Sequence, residues 1–164
     1  MISKKIAMIG AWGVGKTSLV RQYVDSVFSE KYHSTIGVKV DKKVLRVDGQ
    51  ELTMVLWDIA GAEEHFSVPL HYVKGAAGYL LAIDGTRRDS LNSALDIVAE
   101  IEQGIGSLPF IIVANKSDLD WELSNSEIDS AFAKFDQQWL ATSAKSGENV
   151  EAAFAALARR VMES

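Results

Sequence analysis

Three short apolar runs restrict the fold more than any other feature of the sequence. They occupy residues 6–9, 79–83 and 110–114, and they lack the alternation of apolar and polar residues that a half-exposed strand has. Each run is followed by a helical pattern, with glycine or proline close by. Strands buried on both faces give such continuous runs, which are typical of a parallel sheet covered by helices. The runs therefore predict the interior strands of such a sheet.

The segment between the first two runs predicts a hairpin. Residues 38–47 and 52–59 have strand-like composition, and Asp48-Gly49 joins them. Both positions of that pair tolerate positive φ, as a tight two-residue turn requires. We therefore expect one edge of the sheet to be antiparallel.

Helical periodicity completes the prediction of an α/β domain. It is clearest in residues 91–101 and 150–161, where apolar side chains share one face, and Ser124 with Glu127 predicts a capping box. No internal repeat or linker interrupts the alternation of strands and helices. We predict a single domain over residues 1–164, with helices on both faces of a mostly parallel sheet and ligands beyond the carboxyl ends of its strands.

Composition excludes several classes of protein. The 164 residues carry a net charge of -5, which argues against a nucleic-acid partner, and the absence of cysteine excludes disulfides and thiolate metal sites. No apolar run approaches the ~20 residues of a membrane span. Residues 159–164 contain no prenylation site or polybasic cluster, so we expect a cytoplasmic protein without a direct membrane anchor.

Residues 10–17, Gly-Ala-Trp-Gly-Val-Gly-Lys-Thr, form a P-loop motif between the first strand and the first helix. Glycines let successive backbone N–H groups surround phosphate oxygens, and the helix adds the positive end of its dipole. Lys16 is expected to neutralise phosphate charge, and the Thr17 hydroxyl to ligate Mg²⁺. Asp58, at the end of the hairpin's second strand, offers a carboxylate to the same ion, and Gly61 an N–H to the γ-phosphate.

Two further loops predict which base is bound. Residues 115–118, Asn-Lys-Ser-Asp, follow the third apolar run, and the Asp118 carboxylate suits the paired N–H donors of guanine, which adenine does not present. Buried hydrogen bonds of this kind discriminate by about 10⁴-fold or more. The Ala144 N–H, in the later segment 142–145, is expected to reach the guanine carbonyl oxygen.

These segments together resemble the five signature loops of Ras-superfamily GTPases, with Thr35 as the fifth element. Residues 34–38 and Trp57-Asp58 are similar to the Rab branch. The resemblance implies a six-stranded sheet with five helices, GTP and GDP as ligands, Mg²⁺ as cofactor, and two switch loops that bind effector and regulatory proteins. It implies a molecular switch with GTPase activity.

The resemblance also implies residue roles. Thr35 would join the magnesium ligands Thr17 and Asp58 when GTP is bound, and Tyr32 matches a tyrosine that covers the phosphates. Lys16, Thr35 and Gly61 are the catalytic residues implied. The implied nucleotide-binding residues are Trp12, Gly13, Val14, Gly15, Lys16, Thr17, Ser18, Phe28, Thr35, Asp58, Gly61, Asn115, Lys116, Asp118, Ser143, Ala144 and Lys145.

Two positions depart from the family pattern. Ala62 stands where the family has a glutamine that orients the attacking water, and Trp12 stands where it has glycine or another small residue. We expect slow intrinsic hydrolysis, from a family baseline of order 10⁻⁴ to 10⁻³ s⁻¹. A GTP-binding scaffold with little or no turnover is the alternative. A P-loop kinase or ATPase is a third possibility, which residues 115–118 disfavour.

Overall fold

The computed structural model describes residues 2–26, 37–59, 68–135 and 139–163. Strands and helices alternate along these residues except at one hairpin, and a short 3-10 helix lies at Ala133–Phe135. In chain order the elements are β1 Ile2–Gly10, α1 Lys16–Asp25, β2 Val38–Val47, β3 Gln50–Ile59, α2 Leu70–Val73, β4 Gly78–Asp84, α3 Arg88–Gly104, β5 Phe110–Asn115, α4 Asn125–Phe132, β6 Trp139–Ala141 and α5 Val150–Glu163.

One sheet contains the six strands of the described residues, in the order β2-β3-β1-β4-β5-β6. The β2–β3 pair is antiparallel, and the other neighbours are parallel. Asp48 and Gly49 both have positive φ in the β2–β3 turn, as the dipeptide predicts. The predicted fold class, a six-stranded mostly parallel sheet with one antiparallel edge strand, is confirmed.

Alternate residues of the interior strands pack against helices on opposite faces of the sheet. Ile6 and Met8 of β1 lie in the cluster that contains residues of α1 and α5, whereas Ala7 and Ile9 lie in the cluster that contains residues of α3 and α4. All four side chains are fully buried. Burial on both faces explains why the three apolar runs show no alternation.

The predicted helical faces lie in these two clusters. In α5 the predicted apolar side chains are buried, and in α3 they are buried except Leu95, which is half-buried. The α4 helix begins with the predicted capping box: Ser124 Oγ accepts from the Glu127 N–H, and the Glu127 carboxylate accepts from the Ser124 N–H. These contacts fix the helices that cover the sheet, so the loops at the carboxyl ends of the strands form one edge of the molecule.

Candidate functional site

The P-loop lies between the end of β1 and the start of α1. Gly13 and Gly15 have φ of 78° and 96°. A residue with a side chain would be strained at these angles. A Cβ atom at Gly15 would also collide with the Asn115 side chain. Gly15 is the N-cap of α1 and carries no side chain to accept from the first-turn amides. Those amides therefore remain suited to an external anion.

Three successive P-loop carbonyl groups accept hydrogen bonds from side chains of neighbouring loops. Arg87 Nη1 donates to Trp12 O at 2.7 Å, Lys116 Nζ to Gly13 O at 3.1 Å, and Asn115 Nδ2 to Val14 O at 3.0 Å. In a trans peptide the carbonyl and the next N–H point in opposite directions, and the described chain contains no cis peptide. The next three amides therefore point away from these donors, as a phosphate cradle requires, and the Val14 N–H also makes a long contact of 3.4 Å to Ala11 O.

Asp58 contacts two residues of the P-loop, Lys16 and Thr17. The Thr17 hydroxyl donates to Asp58 Oδ2 at 2.6 Å, and Lys16 Nζ lies 3.9 Å from Asp58 Oδ1. The Lys16 and Asp58 side chains are 6% and 1% exposed. Burial lowers the pKa of Lys16 below its ordinary value, and the nearby Asp58 charge opposes that shift. The Lys16 ammonium group is therefore positioned before a phosphate binds.

The same group fits the ligand preference of Mg²⁺. A hydroxyl and a carboxylate are hard oxygen donors, and Thr17 and Asp58 bring them within hydrogen-bond distance of each other. Within the described ranges no cluster of three or more His, Cys, Asp or Glu residues is suited to holding a metal ion. Mg²⁺ is commonly held by one or two carboxylates together with substrate phosphates. The donor set therefore fits a magnesium ion shared with a nucleotide.

The predicted base-binding loops lie next to each other at the ends of β5 and β6. Ser143 Oγ donates to Asp118 Oδ1 at 2.8 Å. The buried Asn115 Oδ1 accepts from the Thr142 hydroxyl and from the Ala144 N–H, each at 3.3 Å. Asn115 thus links the P-loop to the segment 142–145. The role of the Ala144 N–H toward guanine stays a prediction.

Two residues that sequence reasoning missed support Lys116. Asp84 ends β4, is fully buried, and places Oδ2 2.7 Å from Lys116 Nζ. Trp121 donates its indole N–H to Lys116 O at 2.9 Å, with its ring packed against Gly85. Lys116 has φ of 70°, a conformation that costs a non-glycine residue about 1 kcal/mol or more. These two contacts hold Lys116 in that conformation.

An apolar surface adjoins the site on the other face of β3, and we define it as Val40, Val44, Trp57 and Tyr72. Val40 and Val44 are 45% and 55% exposed, and Trp57 and Tyr72 are half-buried with ring centroids 6.4 Å apart. Lys5 Nζ lies 3.8 Å from the centre of the Trp57 ring. Trp57 precedes Asp58, so this surface and the predicted magnesium ligand share a strand end.

The structure brings most of the predicted site residues to one edge of the sheet. Five residues named in the sequence analysis lie outside the described residues: Phe28, Tyr32, Thr35, Gly61 and Ala62. The described residues include Trp12 through Ser18, Asp58, Asn115, Lys116, Asp118, and Ser143 through Lys145. In the part of the chain that the structure describes, no helix is both long and apolar enough to cross a membrane.

Comparison with known proteins gives consistent matches. A model of the Ras family matches residues 5–163. The protein named Ras-related protein Rab-4A is 35% identical to this chain over 161 residues in Bos taurus, Homo sapiens and Rattus norvegicus. Each alignment covers 96% of this chain and 74% of the relative. The match spans every loop of the site described above.

Proposed function

Because this chain belongs to the Ras family, as a Rab-like small GTPase, we propose that it is a switch that cycles between GTP and GDP and recruits effectors in the GTP state. The observation that carries the proposal is the direct link between the phosphate loop and the base-binding loop. Lys116 and Asn115 contact consecutive P-loop carbonyls, while Asp118 lies three residues after Asn115. A ligand with a purine at one end and phosphates at the other fits that spacing.

The contacts support the following residue roles. P-loop amides and Lys16 bind the phosphates, Thr17 and Asp58 hold Mg²⁺, and Asp118, oriented by Ser143, binds the base. Mg²⁺ neutralises charge that develops on the phosphates during hydrolysis. Ser18 and Lys145 adjoin these groups, and we assign Phe28, Thr35 and Gly61 the roles that the family implies.

Recognition of guanine is tested by Asp118→Asn. Loss of one charge-assisted pair costs about 1.5 to 3 kcal/mol, so affinity for GDP falls about tenfold to a hundredfold. Xanthosine diphosphate, whose altered base edge suits an amide, should gain relative to GDP. Asp120→Asn, in the same loop and exposed, is the matched control and should leave both affinities unchanged. Calorimetry with Mg²⁺ measures both ligands.

Unchanged GDP affinity in Asp118→Asn would remove the assignment of the base. Lys16→Ala should abolish tight binding of either nucleotide, because the buried ammonium group is lost. If the unaltered protein, folded and with Mg²⁺ present, binds neither GDP nor GTP, the proposed function is wrong.

We propose that the apolar surface contributes to effector recruitment, together with the loops near residues 28–38 and 60–75. Val40 and Val44 are large apolar side chains left exposed on the edge strand β2, and Trp57 and Tyr72 add aromatic area beside them. Aromatic residues are enriched at the centres of protein interfaces. Exposed apolar area next to a magnesium ligand suits a partner that senses the bound nucleotide.

Slow turnover is part of the proposal, and a GTP-binding scaffold without turnover is its alternative. Both rest on Ala62, which lacks a polar atom to orient water, and on Trp12, whose 43% exposed side chain adds bulk at the P-loop. Single-turnover hydrolysis distinguishes them. Trp12→Gly, Ala62→Gln and the double variant test whether the two positions interact, because independent effects would be additive.

A further inference from the structure

Arg87 reaches the P-loop from the turn between β4 and α3. Its Nη1 lies 2.7 Å from Trp12 O, and a Cβ atom placed on Gly13 would lie 3.0 Å from the same nitrogen. The guanidinium group therefore lies alongside the peptide that joins Trp12 to Gly13. The Arg87 side chain is 33% exposed, and its Nε is 3.5 Å from Asp89 Oδ1, on a carboxylate that is 78% exposed.

The Trp12–Gly13 peptide is the central peptide of a β-turn. Val14 N donates to Ala11 O at 3.4 Å, and Gly13, the third residue of that turn, has φ of 78°. Positive φ at this position is the requirement of a type II turn, whereas a type I turn takes φ near −90° there. The two types differ by a flip of the central peptide. Glycine adopts both signs of φ, so Gly13 permits that flip without a steric clash.

A flip would reverse the direction of the Gly13 N–H. A charge-assisted hydrogen bond to Trp12 O opposes it, because such bonds are about twice as strong as neutral ones. Lys116 restrains the next peptide in the same way, and Asn115 restrains the peptide after it through a neutral hydrogen bond. Of these three peptides, only Trp12–Gly13 is the central peptide of the turn. The hydrogen bond to it therefore removes more conformational freedom than the other two.

We propose that Arg87 is a positioning residue for phosphate binding, which fixes the Trp12–Gly13 peptide so that the Gly13 N–H faces the nucleotide phosphates. This inference rests on the proposed function. Arg87 acts through the backbone of the P-loop. The acceptor is the main-chain carbonyl of Trp12, so this contact does not depend on the Trp12 side chain.

Arg88, the first residue of α3, provides a matched control. Its guanidinium group binds Glu122 and Glu127, all on the exposed surface. Both arginines have an exposed acidic partner, but only Arg87 donates to the P-loop. Arg88→Ala therefore removes the same charge without touching the Trp12–Gly13 peptide.

The test compares the affinities of Arg87→Ala, Arg87→Lys and Arg88→Ala for GDP and for GMP, by competition with Mg²⁺ present. Arg87→Ala should weaken GDP binding about tenfold, the effect of one hydrogen bond to a charged group. Its effect on GMP should be smaller, because GMP carries one phosphate and uses less of the cradle. Arg87→Lys, which keeps a charged donor, should recover most of the loss, and Arg88→Ala should match the unaltered protein.

Amide spectra give a readout that does not depend on affinity. In ¹⁵N-labelled protein bound to GDP, the Gly13 N–H resonance should move in Arg87→Ala and stay in place in Arg88→Ala. The inference is wrong if Arg87→Ala binds GDP within twofold of the unaltered protein, if GDP and GMP weaken equally, or if Arg88→Ala gives the same loss. Failure of the unaltered protein to bind GDP would instead refute the proposed function and this inference with it.

Discussion

Replacement of Asp84 by asparagine should weaken both the fold and the predicted base-binding loop, residues 115–118. Asp84 Oδ1 accepts from the Thr86 N–H at 2.8 Å and from the Thr86 hydroxyl at 2.7 Å, and Oδ2 pairs with Lys116 Nζ at 2.7 Å. Asparagine keeps the shape and, through its carbonyl oxygen, the contacts to Thr86. Its NH₂ group then faces an ammonium group, so the substitution replaces the ion pair with two opposed hydrogen-bond donors and keeps the other contacts.

The burial of the two partners sets the expected magnitude. Breaking a fully buried pair costs about 3 to 5 kcal/mol, and removing a hydrogen bond to a charged group costs about 1.5 to 3 kcal/mol. Asp84 is fully buried, but the Lys116 side chain is 32% exposed and water can still solvate its ammonium group. We therefore expect Asp84→Asn to lower the free energy of unfolding by about 1.5 to 3 kcal/mol.

Urea unfolding of a double-mutant cycle measures this contact directly. The cycle combines Asp84→Asn with Lys116→Met, and its coupling energy should be about 1 to 2 kcal/mol. Asp89→Asn makes the same chemical change at a 78% exposed carboxylate and should cost less than about 0.5 kcal/mol. Additivity of the two substitutions within about 0.3 kcal/mol would refute the reasoning, since it would mean that the pair contributes nothing specific. The rate of GDP release should rise in Asp84→Asn, because Lys116 also holds the P-loop.

Two further outcomes follow from local contacts. Ser124→Ala should lower the free energy of unfolding by about 1 kcal/mol through loss of the α4 capping box, whereas the exposed, mid-helix Ser130→Ala should be nearly neutral; equal effects in chemical denaturation would contradict the role of the cap. Burial, with a smaller effect of Glu151, raises the pKa of Tyr23 from 10.0 to about 12. The folded state therefore favours the neutral phenol, and its contribution to stability is complete below about pH 10 and is lost as pH rises toward about 12. Tyr23→Phe keeps the ring stacked on Phe154 and should show a shallower loss of unfolding free energy over that range; an unchanged slope would contradict the assignment.

The fold was predictable because its main signals are local. Strands buried on both faces, such as residues 6–9, need apolar side chains at every position, and the Asp48-Gly49 turn needs two residues that accept positive φ. The capping box at Ser124 likewise depends on residues three apart. Each of these patterns can be read within a few residues.

The site was predictable only in part, for a physical reason. The P-loop motif and Asp118 lie in short segments with recognisable spacing. Arg87 contacts a carbonyl 75 positions away in the chain, and the contact is to the backbone, so no residue type at the acceptor reveals it. Asp84 did give a signal, because it is a carboxylate at the end of an apolar strand, as Asp58 is. The sequence around Trp121 gave no signal that distinguishes this residue from an ordinary core tryptophan.

The central place of β1 in the sheet has a consequence for synthesis on the ribosome. This strand precedes both of its neighbours, β3 and β4, in the chain, and β4 ends at Asp84. At 5 to 20 residues per second, the roughly seventy residues that separate them take about 4 to 14 s to translate. During that interval a strand with fully buried side chains at residues 6–9 has one edge or both edges unpaired. Nascent chains of this topology therefore need protection from association early in translation, well before any nucleotide can bind.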